Sequence, residues 1–495
     1  MLAVAVLGSG MVFLDSTVVN VALPVIGRDL HASVSALQWI LNGYALTLAS
    51  LILLGGSLGD RFGRRRIFAL GAGLFTVASL LCAIAPTVET LIGARLLQGA
   101  AGALLTPGSL AMIEASFRRQ DRPRAIGAWS GLTGVSTAIG PLLGGYLVGA
   151  VTWRAVFLIN IPLGIFVVLA ARHVPESRDP TMGKHIDIRG AVLAALGLGG
   201  TTYALIEAPG HGSSALVWIA GIGGVIALIL FLLAERSSPQ PMMPLGLFAS
   251  RQFSAANVVT FVVYAALGGV FFLLVAFLQI SLGYSPIAAG AASLPITVLM
   301  LLFSSRSGAL AQRIGPRIPL TLGPLILAGG TLMMTQINPG DSYVQSILPA
   351  VIVFGVGLTL VVSPVTATVL AAADERRAGI ASGVNNAVSR VAALLAVAVL
   401  PLIAGLTGNR FYHKAAMTHG FHVAMVASAA LAAAGGVVAW LTISDDVLKA
   451  GPESRGEAPV EVSTDYSCAV SGPPLRRRVA ERASAAIGLA GRRAS

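Results

Sequence analysis

Two charged residues, Asp15 and Arg95, interrupt long apolar stretches of the sequence and are the side chains best placed to do chemistry. A carboxylate in an apolar helix is costly unless a proton, a cation or a hydrogen-bonding partner compensates it. We therefore interpret Asp15 as a group that takes up and releases a proton; the alternative is a permanent hydrogen-bond partner for neighbouring helices. Arg95 is interpreted as the partner of a protonatable group, or else as an anchor that extends towards the membrane surface.

A second candidate site is the basic loop GSLGDRFGRR at residues 56–65. Its glycines permit sharp turns, and one acidic residue lies among several arginines. We interpret the loop as a gate in which Asp60 caps or salt-bridges neighbouring helix ends in the outward-facing state; a solvated basic loop is the alternative. The candidate gating residues are Gly56, Asp60, Arg61, Gly63, Arg64 and Arg65.

The composition places these residues in a membrane protein. The chain has 495 residues, of which 55% are hydrophobic and only 11% charged, and its mean hydropathy is +0.82. So few charged residues cannot cover a protein of this size in water, since soluble domains have about 25% charged residues. A water-soluble globule is therefore excluded, and the surface must face lipid.

About fourteen apolar stretches of bilayer-spanning length follow one another, from residues 2–26 to residues 420–443. Lys and Arg concentrate in the loops after even-numbered stretches, whereas the loops after odd-numbered stretches hold few. This bias predicts that both termini are cytoplasmic in a multi-pass protein of the cell membrane. The same bias accounts for the net charge of +12 without nucleic-acid binding.

An internal repeat indicates how the stretches are organised. The loop GSLGDRFGRR at residues 56–65 is echoed by GALAQRIGPR at residues 308–317, eight predicted helices later. We predict an all-α polytopic protein built from two six-helix bundles with two inserted helices. The predicted units are an N-terminal bundle (1–172), the inserted helices with their linkers (173–252), a C-terminal bundle (253–443) and a disordered cytoplasmic tail (444–495).

Six motifs together resemble the major facilitator superfamily, and specifically its fourteen-helix drug:proton antiporter branch. They are LDSTVVNVALP (14–24), GSLGDRFGRRR (56–66), RLLQGAAGA (95–103), GPLLGG (140–145), WRAVFLINIP (153–162) and AGIASGVNNAVSR (378–390). The resemblance covers nearly all of the chain up to residue 443. It implies the major-facilitator fold with fourteen transmembrane helices, and transport by alternating access.

The resemblance also implies a function. It implies proton-coupled export of amphipathic drugs or natural products, as in multidrug or antibiotic efflux, with Arg95 tied to proton transfer. The antiporter motif of the fifth helix, which the family associates with export, corresponds to Gly140, Pro141, Gly144 and Gly145. An importer or metabolite porter of the same fold is the alternative.

The substrate cavity is less well marked in the sequence. A broad apolar cavity with few fixed polar groups suits amphipathic compounds, and the tenth and thirteenth predicted helices contain no carboxylate, which favours monovalent or neutral substrates. The candidate lining residues are Asn20, Trp39, Tyr44, Gln98, Gln279, Asn385, Asn386 and Arg390.

Other classes of function are disfavoured. The seven histidines are scattered, so no enzymatic cluster is indicated, and the sequence has no GKS or GKT phosphate-binding loop. Two cysteines cannot supply a zinc site, and we expect neither a metal nor a cofactor. The expected partners are a small-molecule substrate, protons and the lipid bilayer, with no nucleic acid, and the chain is expected to be monomeric.

Overall fold

The computed structural model describes residues 1–118, 121–178, 187–212, 214–238, 241–373 and 378–448. All regular secondary structure in these ranges is helical. The α-helices are α1 (Leu2–Asp29), α2 (Val34–Phe62), α3 (Arg64–Ile84), α4 (Val88–Ser116), α5 (Arg122–Ala150), α6 (Ala155–Leu158), α7 (Asn160–Ala171), α8 (Ile188–His211), α9 (Ala215–Ser237), α10 (Arg251–Ile280), α11 (Pro286–Ala292), α12 (Leu294–Ile314), α13 (Arg317–Met334), α14 (Leu348–Ala371), α15 (Ala378–Ile403) and α16 (Lys414–Thr442).

Twelve helical segments in the described ranges are long and apolar enough to cross a membrane, with α11 and α12 counting as one. The expected count of fourteen is therefore not confirmed. Two shorter apolar segments, Ile139–Ala150 in α5 and Ala155–Ala171 in α6 and α7, lie where the other two spans were predicted. The second of these spans the break at Ile159 between α6 and α7.

The outer faces of these helices are apolar. On α9, for example, Trp218, Ile219 and Leu233 expose 64%, 67% and 56% of their surface. An apolar surface of this extent would be unstable in water and is expected where a helix faces lipid.

Helix packing divides the described chain into three parts. Helices α1 to α7 pack mainly on one another, and we call them the first helical group; α10 to α16 do the same and form the second helical group. Helices α8 and α9 form a hairpin that packs through α8 on α2 and on α15.

The two repeated loops form matching elbows. In the first group, α2 ends and α3 begins at Gly63, which has a φ of +111°; in the second group, Gly315 joins α12 to α13 with a φ of +90°. Backbone with positive φ strains any residue that has a Cβ atom, so glycine is required at both positions. The sequence repeat thus corresponds to a repeat in backbone geometry.

A carboxylate that follows the last helix of the same group clamps each elbow. Glu176, beyond α7, accepts a 3.0 Å hydrogen bond from the backbone N–H of Arg65. Asp445, beyond α16, accepts a 3.1 Å bond from the backbone N–H of Arg317. Asp445 begins a helical turn, Asp445–Val447, in the stretch that the sequence assigns to a disordered tail, so the packed chain extends to residue 448; the rest of the predicted tail lies outside the described residues.

The two groups are bonded near the end of the bundle where α1 finishes, which we call the Asp29 end; the opposite end, where the first elbow lies, is the Asp60 end. The bonds join Gln38 to the carbonyl oxygens of Val397 (2.7 Å) and Ala398 (3.3 Å), Gln279 to that of Val21 (2.9 Å), and Tyr412 to that of Ala32 (2.7 Å). Each donor is a side chain of one group and each acceptor a backbone carbonyl of the other. The bonds therefore stabilise a conformation closed at the Asp29 end.

Candidate functional site

Asp15 lies midway along α1 and forms an ion pair with Arg95 of α4. Both side chains are fully buried. Removing two charges from water is costly, and the cost is offset only when the charges are close and their remaining hydrogen-bonding capacity is used. The neighbours of the pair therefore determine whether it is stable.

Arg95 is held by three further groups. Its Nε donates to the carbonyl oxygen of Ile40 on α2 (3.0 Å) and its Nη1 to Oε1 of Gln98 (2.6 Å). Its guanidinium carbon lies 4.2 Å from the ring centroid of Tyr44, which is a favourable cation–π distance. Tyr44 in turn donates to the carbonyl oxygen of Val12 (3.1 Å), so the ring is fixed beneath the cation.

The second carboxylate oxygen of Asp15 accepts from two amides. Gln98 Nε2 donates to it over 2.9 Å and Asn160 Nδ2 over 3.1 Å. Gln98 Nε2 also contacts Ser79 Oγ at 2.9 Å. We call Asp15, Ser79, Arg95, Gln98 and Asn160 the Asp15 cluster; all five are buried and come from α1, α3, α4 and α7.

A cation and two amide donors surround the carboxylate, so the charge of an ionised Asp15 is compensated by its neighbours. A proton arriving at Asp15 would cancel its charge and leave the Arg95 cation in an apolar interior with only neutral partners. Such a state is costly unless the helices move or solvent enters. The geometry therefore links the protonation of one carboxyl group to the packing of four helices.

Sequence reasoning missed Asn160 and Ser79. Neutral polar residues are common in membrane helices and have no obligatory partner, so neither signals a site by itself. The available signal for Asn160 was its position in the motif WRAVFLINIP, where it begins α7 directly after the break at Ile159.

The candidate gating residues lie at the Asp60 end. Asp60 accepts a 2.7 Å hydrogen bond from Arg64 Nε, in an ion pair whose side chains are about a quarter exposed. Arg64 Nη1 also donates to the carbonyl oxygen of Ala111 on α4 (3.1 Å). Gly56 packs beside Pro107 of α4, Arg61 lies in the last turn of α2, and Arg65 pairs with Glu176 (3.6 Å). In this conformation the loop is tied within its own group.

The four motif positions of α5 face two different helices. A methyl group in place of the hydrogen at Gly140 or Gly144 would run into Thr17 or Val18 of α1. A Cβ at Gly145 would lie 2.5 Å from the carbonyl oxygen of Pro286 on α11, while the Pro141 carbonyl faces Gly290. Glycine therefore permits α5 to touch both α1 and the second group. We call the contact of α5 with α11 the α5–α11 seam.

The predicted cavity residues are dispersed. Tyr44 and Gln98 are buried in and beside the Asp15 cluster, and Gln279 bonds across the groups at the Asp29 end. Trp39 donates to Glu207 of α8 (3.1 Å), beside the ring of Tyr203. Asn20 is half-buried and bonds to its own helix at Ser16.

The remaining three predicted residues form a polar stripe on α15. Asn385 Nδ2 donates to Thr260 Oγ1 (2.8 Å) and lies 3.3 Å from Asn257 Oδ1, both on α10. Arg390 Nε donates to Asn386 Oδ1 over 2.7 Å. The stripe is half-buried, unlike the Asp15 cluster.

Solved structures of known proteins share this fold. A POT family transporter in complex with a thioalcohol-conjugated peptide superposes with a TM-score of 0.65 over 88% of this chain and 94% of its own, at 14% identity. A peptide transporter POT in complex with sulfate gives 0.63 over 89% and 93%, at 16% identity. The shared fold is that of a polytopic helical membrane protein.

The sequence matches the profile of the Major Facilitator Superfamily over residues 5–397, and this chain belongs to that family. Among curated relatives, the tetracenomycin C resistance and export protein of Streptomyces glaucescens is 37% identical over 84% of this chain and 77% of its own. The methylenomycin A resistance protein of Bacillus subtilis is 36% identical (82% and 88%), and the puromycin resistance protein of Streptomyces alboniger 34% (94% and 93%).

Proposed function

We propose that this protein is a proton-coupled exporter of amphipathic drugs or natural products, of the fourteen-helix antiporter type. The observation that carries the proposal is the fully buried Asp15–Arg95 pair at the junction of four helices. The resistance and export functions named for the relatives support the direction of transport and the class of substrate.

Coupling would follow from the charge balance of the Asp15 cluster. With Asp15 ionised, the pair is neutral and the four helices remain packed around it. A proton on Asp15 leaves Arg95 uncompensated, which destabilises this conformation relative to one that admits solvent or a new partner. Proton binding on one side of the membrane and release on the other would then drive the conformational cycle.

The proposed topology places the protein in the cell membrane with both termini cytoplasmic. The Asp29 end would face outwards, and the conformation described here would be closed to the outside. The proposed units remain the bundles at 1–172 and 253–443 with the insertion at 173–252. In the outward-facing conformation, Asp60 of the gating loop would bridge neighbouring helix ends. The α5–α11 seam would open in the same conformation.

The proposal is tested in proteoliposomes that contain a fluorescent amphipathic dye and a pH indicator. An imposed pH gradient and membrane potential should move dye and protons in opposite directions, and ATP should have no effect. About 2.3 kcal/mol per charge per 100 mV is enough to sustain at least a tenfold dye gradient. Extrusion that needs ATP, or dye and protons moving together as in an importer, would refute the proposal.

A further inference from the structure

Arg390 lies midway along α15, on a side that faces the first helical group. Its guanidinium carbon is 5.8 Å from the ring centroid of Phe13 on α1. Both residues are half-buried although each lies near the middle of its helix. The two groups therefore leave accessible space between them at this depth.

The positive charge of Arg390 has no acidic partner in the described part of the chain. The ion pairs of Asp15, Asp29, Asp60 and Glu176 are all with other arginines. Its Nε donates to the neutral Oδ1 of Asn386. Arg95 offers the contrast, because the carboxylate of Asp15 neutralises it completely.

Arg390 also cannot reach water by extending along the helix. It is thirteen residues into the 26-residue helix α15, hence about 20 Å from either end at ~1.5 Å per residue, several times the reach of an arginine side chain. Arg306 offers a contrast, since it is exposed, lies in the half of α12 towards the Asp60 end and bonds to the carbonyl oxygen of Leu302 on its own helix. A central, uncompensated cation in a membrane helix marks a functional site.

We propose that Arg390 is the recognition site for an anionic group, a carboxylate or sulfonate, on an aromatic amphipathic substrate. The proposal rests on the export function above and narrows its substrate class. The planar guanidinium can bind two oxygens of such a group at once. Asn386 holds the guanidinium in place through Nε, which leaves both terminal nitrogens for the anion, and Phe13 offers a ring for the aromatic part of the substrate.

The proposal places substrate recognition at the polar stripe on α15, apart from the Asp15 cluster where the proton would bind. The Asp15 cluster is fully buried and its ion pair is electrically neutral, whereas the stripe at Asn385, Asn386 and Arg390 is half-buried and carries one positive charge. The network from Asn385 to Thr260 fixes α15 against α10, so the guanidinium projects from a rigid wall.

The test uses two probes with the same ring system: 8-anilinonaphthalene-1-sulfonate, which is anionic, and N-phenyl-1-naphthylamine, which lacks the sulfonate. Binding to the purified full-length protein is measured by equilibrium dialysis, with protein-free detergent micelles as the blank. The wild type should prefer the sulfonate. Arg390→Gln should weaken binding of the sulfonate about tenfold or more and leave the neutral probe unchanged, as expected for loss of a charge-assisted hydrogen bond.

A second variant tests charge without removing the arginine. Asn386→Asp places a carboxylate at the position that now bonds to Arg390, so it should neutralise the guanidinium and weaken sulfonate binding to a similar degree. Arg306→Gln removes an exposed arginine whose hydrogen bond stays within α12, and it should leave both affinities unchanged. Equal weakening of both probes in either stripe variant, or an unchanged preference, would overturn the proposal.

Dye transport in proteoliposomes separates this inference from the proposed function. Arg390-dependent sulfonate binding without any proton-driven transport would leave the anion site standing and refute the exporter. Proton-driven export of both probes that is unchanged by Arg390→Gln and Asn386→Asp would support the exporter and refute the anion site.

Discussion

Asn160 donates a 3.1 Å hydrogen bond to the carboxylate of Asp15, across 145 residues of sequence. The bond joins the start of α7 to the middle of α1, and Gln98 of α4 donates to the same oxygen. Asp15 is therefore held by neutral amides as well as by Arg95. This shared carboxylate makes the stability of the first helical group depend on one ionisable residue.

Asp15→Asn should abolish proton-coupled transport and also destabilise the protein. The change leaves Arg95 charged and buried without a counter-ion, which costs about 3–5 kcal/mol for a buried pair that loses one partner. Adding Arg95→Gln removes the second charge and should restore much of the thermal stability, but not the coupling. Unfolding temperature in detergent and proton flux in proteoliposomes measure the two effects separately.

Asp29→Asn is the matched control for that experiment. Asp29 pairs with Arg154 over 3.2 Å, but its side chain is 49% exposed, and such pairs contribute at most about 1 kcal/mol. Stability should change little and coupling not at all. Asp15→Asn with normal proton flux would remove Asp15 from the mechanism.

Gln38→Leu should favour opening at the Asp29 end, because it removes the side-chain bonds to Val397 and Ala398. The loss of about 1 kcal/mol would shift the ratio of the two conformations about fivefold. In a cysteine-free background, the thiol of Asn20→Cys should then react faster with an impermeant maleimide added from outside. Gln252→Leu, whose contacts stay within the second group, should leave the rate unchanged; a similar rate in both variants would contradict the prediction.

Gly290→Ala should hinder closure of the α5–α11 seam. Its methyl group would overlap the carbonyl oxygen of Pro141, so the two helices must separate. We expect slower transport, and a faster reaction of the Asn20→Cys thiol with the maleimide added from outside. Gly329→Ala is the control, since a methyl group there meets no described atom within 4 Å; slowing by both variants would point to a general effect of alanine instead.

Asp60→Asn should slow turnover while leaving intrinsic substrate affinity unchanged. Asp60 bonds to Arg64 at the Asp60 end, remote from the Asp15 cluster, so it can bias the conformational equilibrium without contacting substrate. The affinity comparison is made on protein locked by a disulfide between Gly149→Cys and Ile287→Cys, which face each other at the seam. A large loss of affinity in the locked protein would withdraw the gating role.

How much the sequence could predict depended on the chemistry of each residue. A charge in an apolar stretch requires compensation, so Asp15 and Arg95 could be recognised as a site from the sequence alone, and the glycines of the repeated loops marked both elbows. The positions of Tyr44 beside Arg95 and of Trp39 against α8 could not be predicted in this way. Both sides of α2 are covered by protein, by α4 on one side and by α8 and α15 on another, so hydrophobic periodicity could not tell which side a given aromatic residue occupies. The fourteen predicted spans depended on the length of the apolar stretches. Twelve helical segments of the described residues are long and apolar enough to span a membrane, and two of the predicted stretches correspond to shorter apolar segments.

The clamped elbows have a consequence for how the protein is made. Glu176 lies 111 residues beyond the Arg65 N–H that it binds, and Asp445 lies 128 beyond that of Arg317. During synthesis, the elbow at Gly63 must therefore wait unclamped while the ribosome adds the rest of its group, and the same holds for Gly315. Each elbow is stabilised only when the segment that follows the last helix of its group has been synthesised. A nascent chain that ends before residue 176 would therefore lack the carboxylate that binds the first elbow, and quality-control proteases could recognise that elbow.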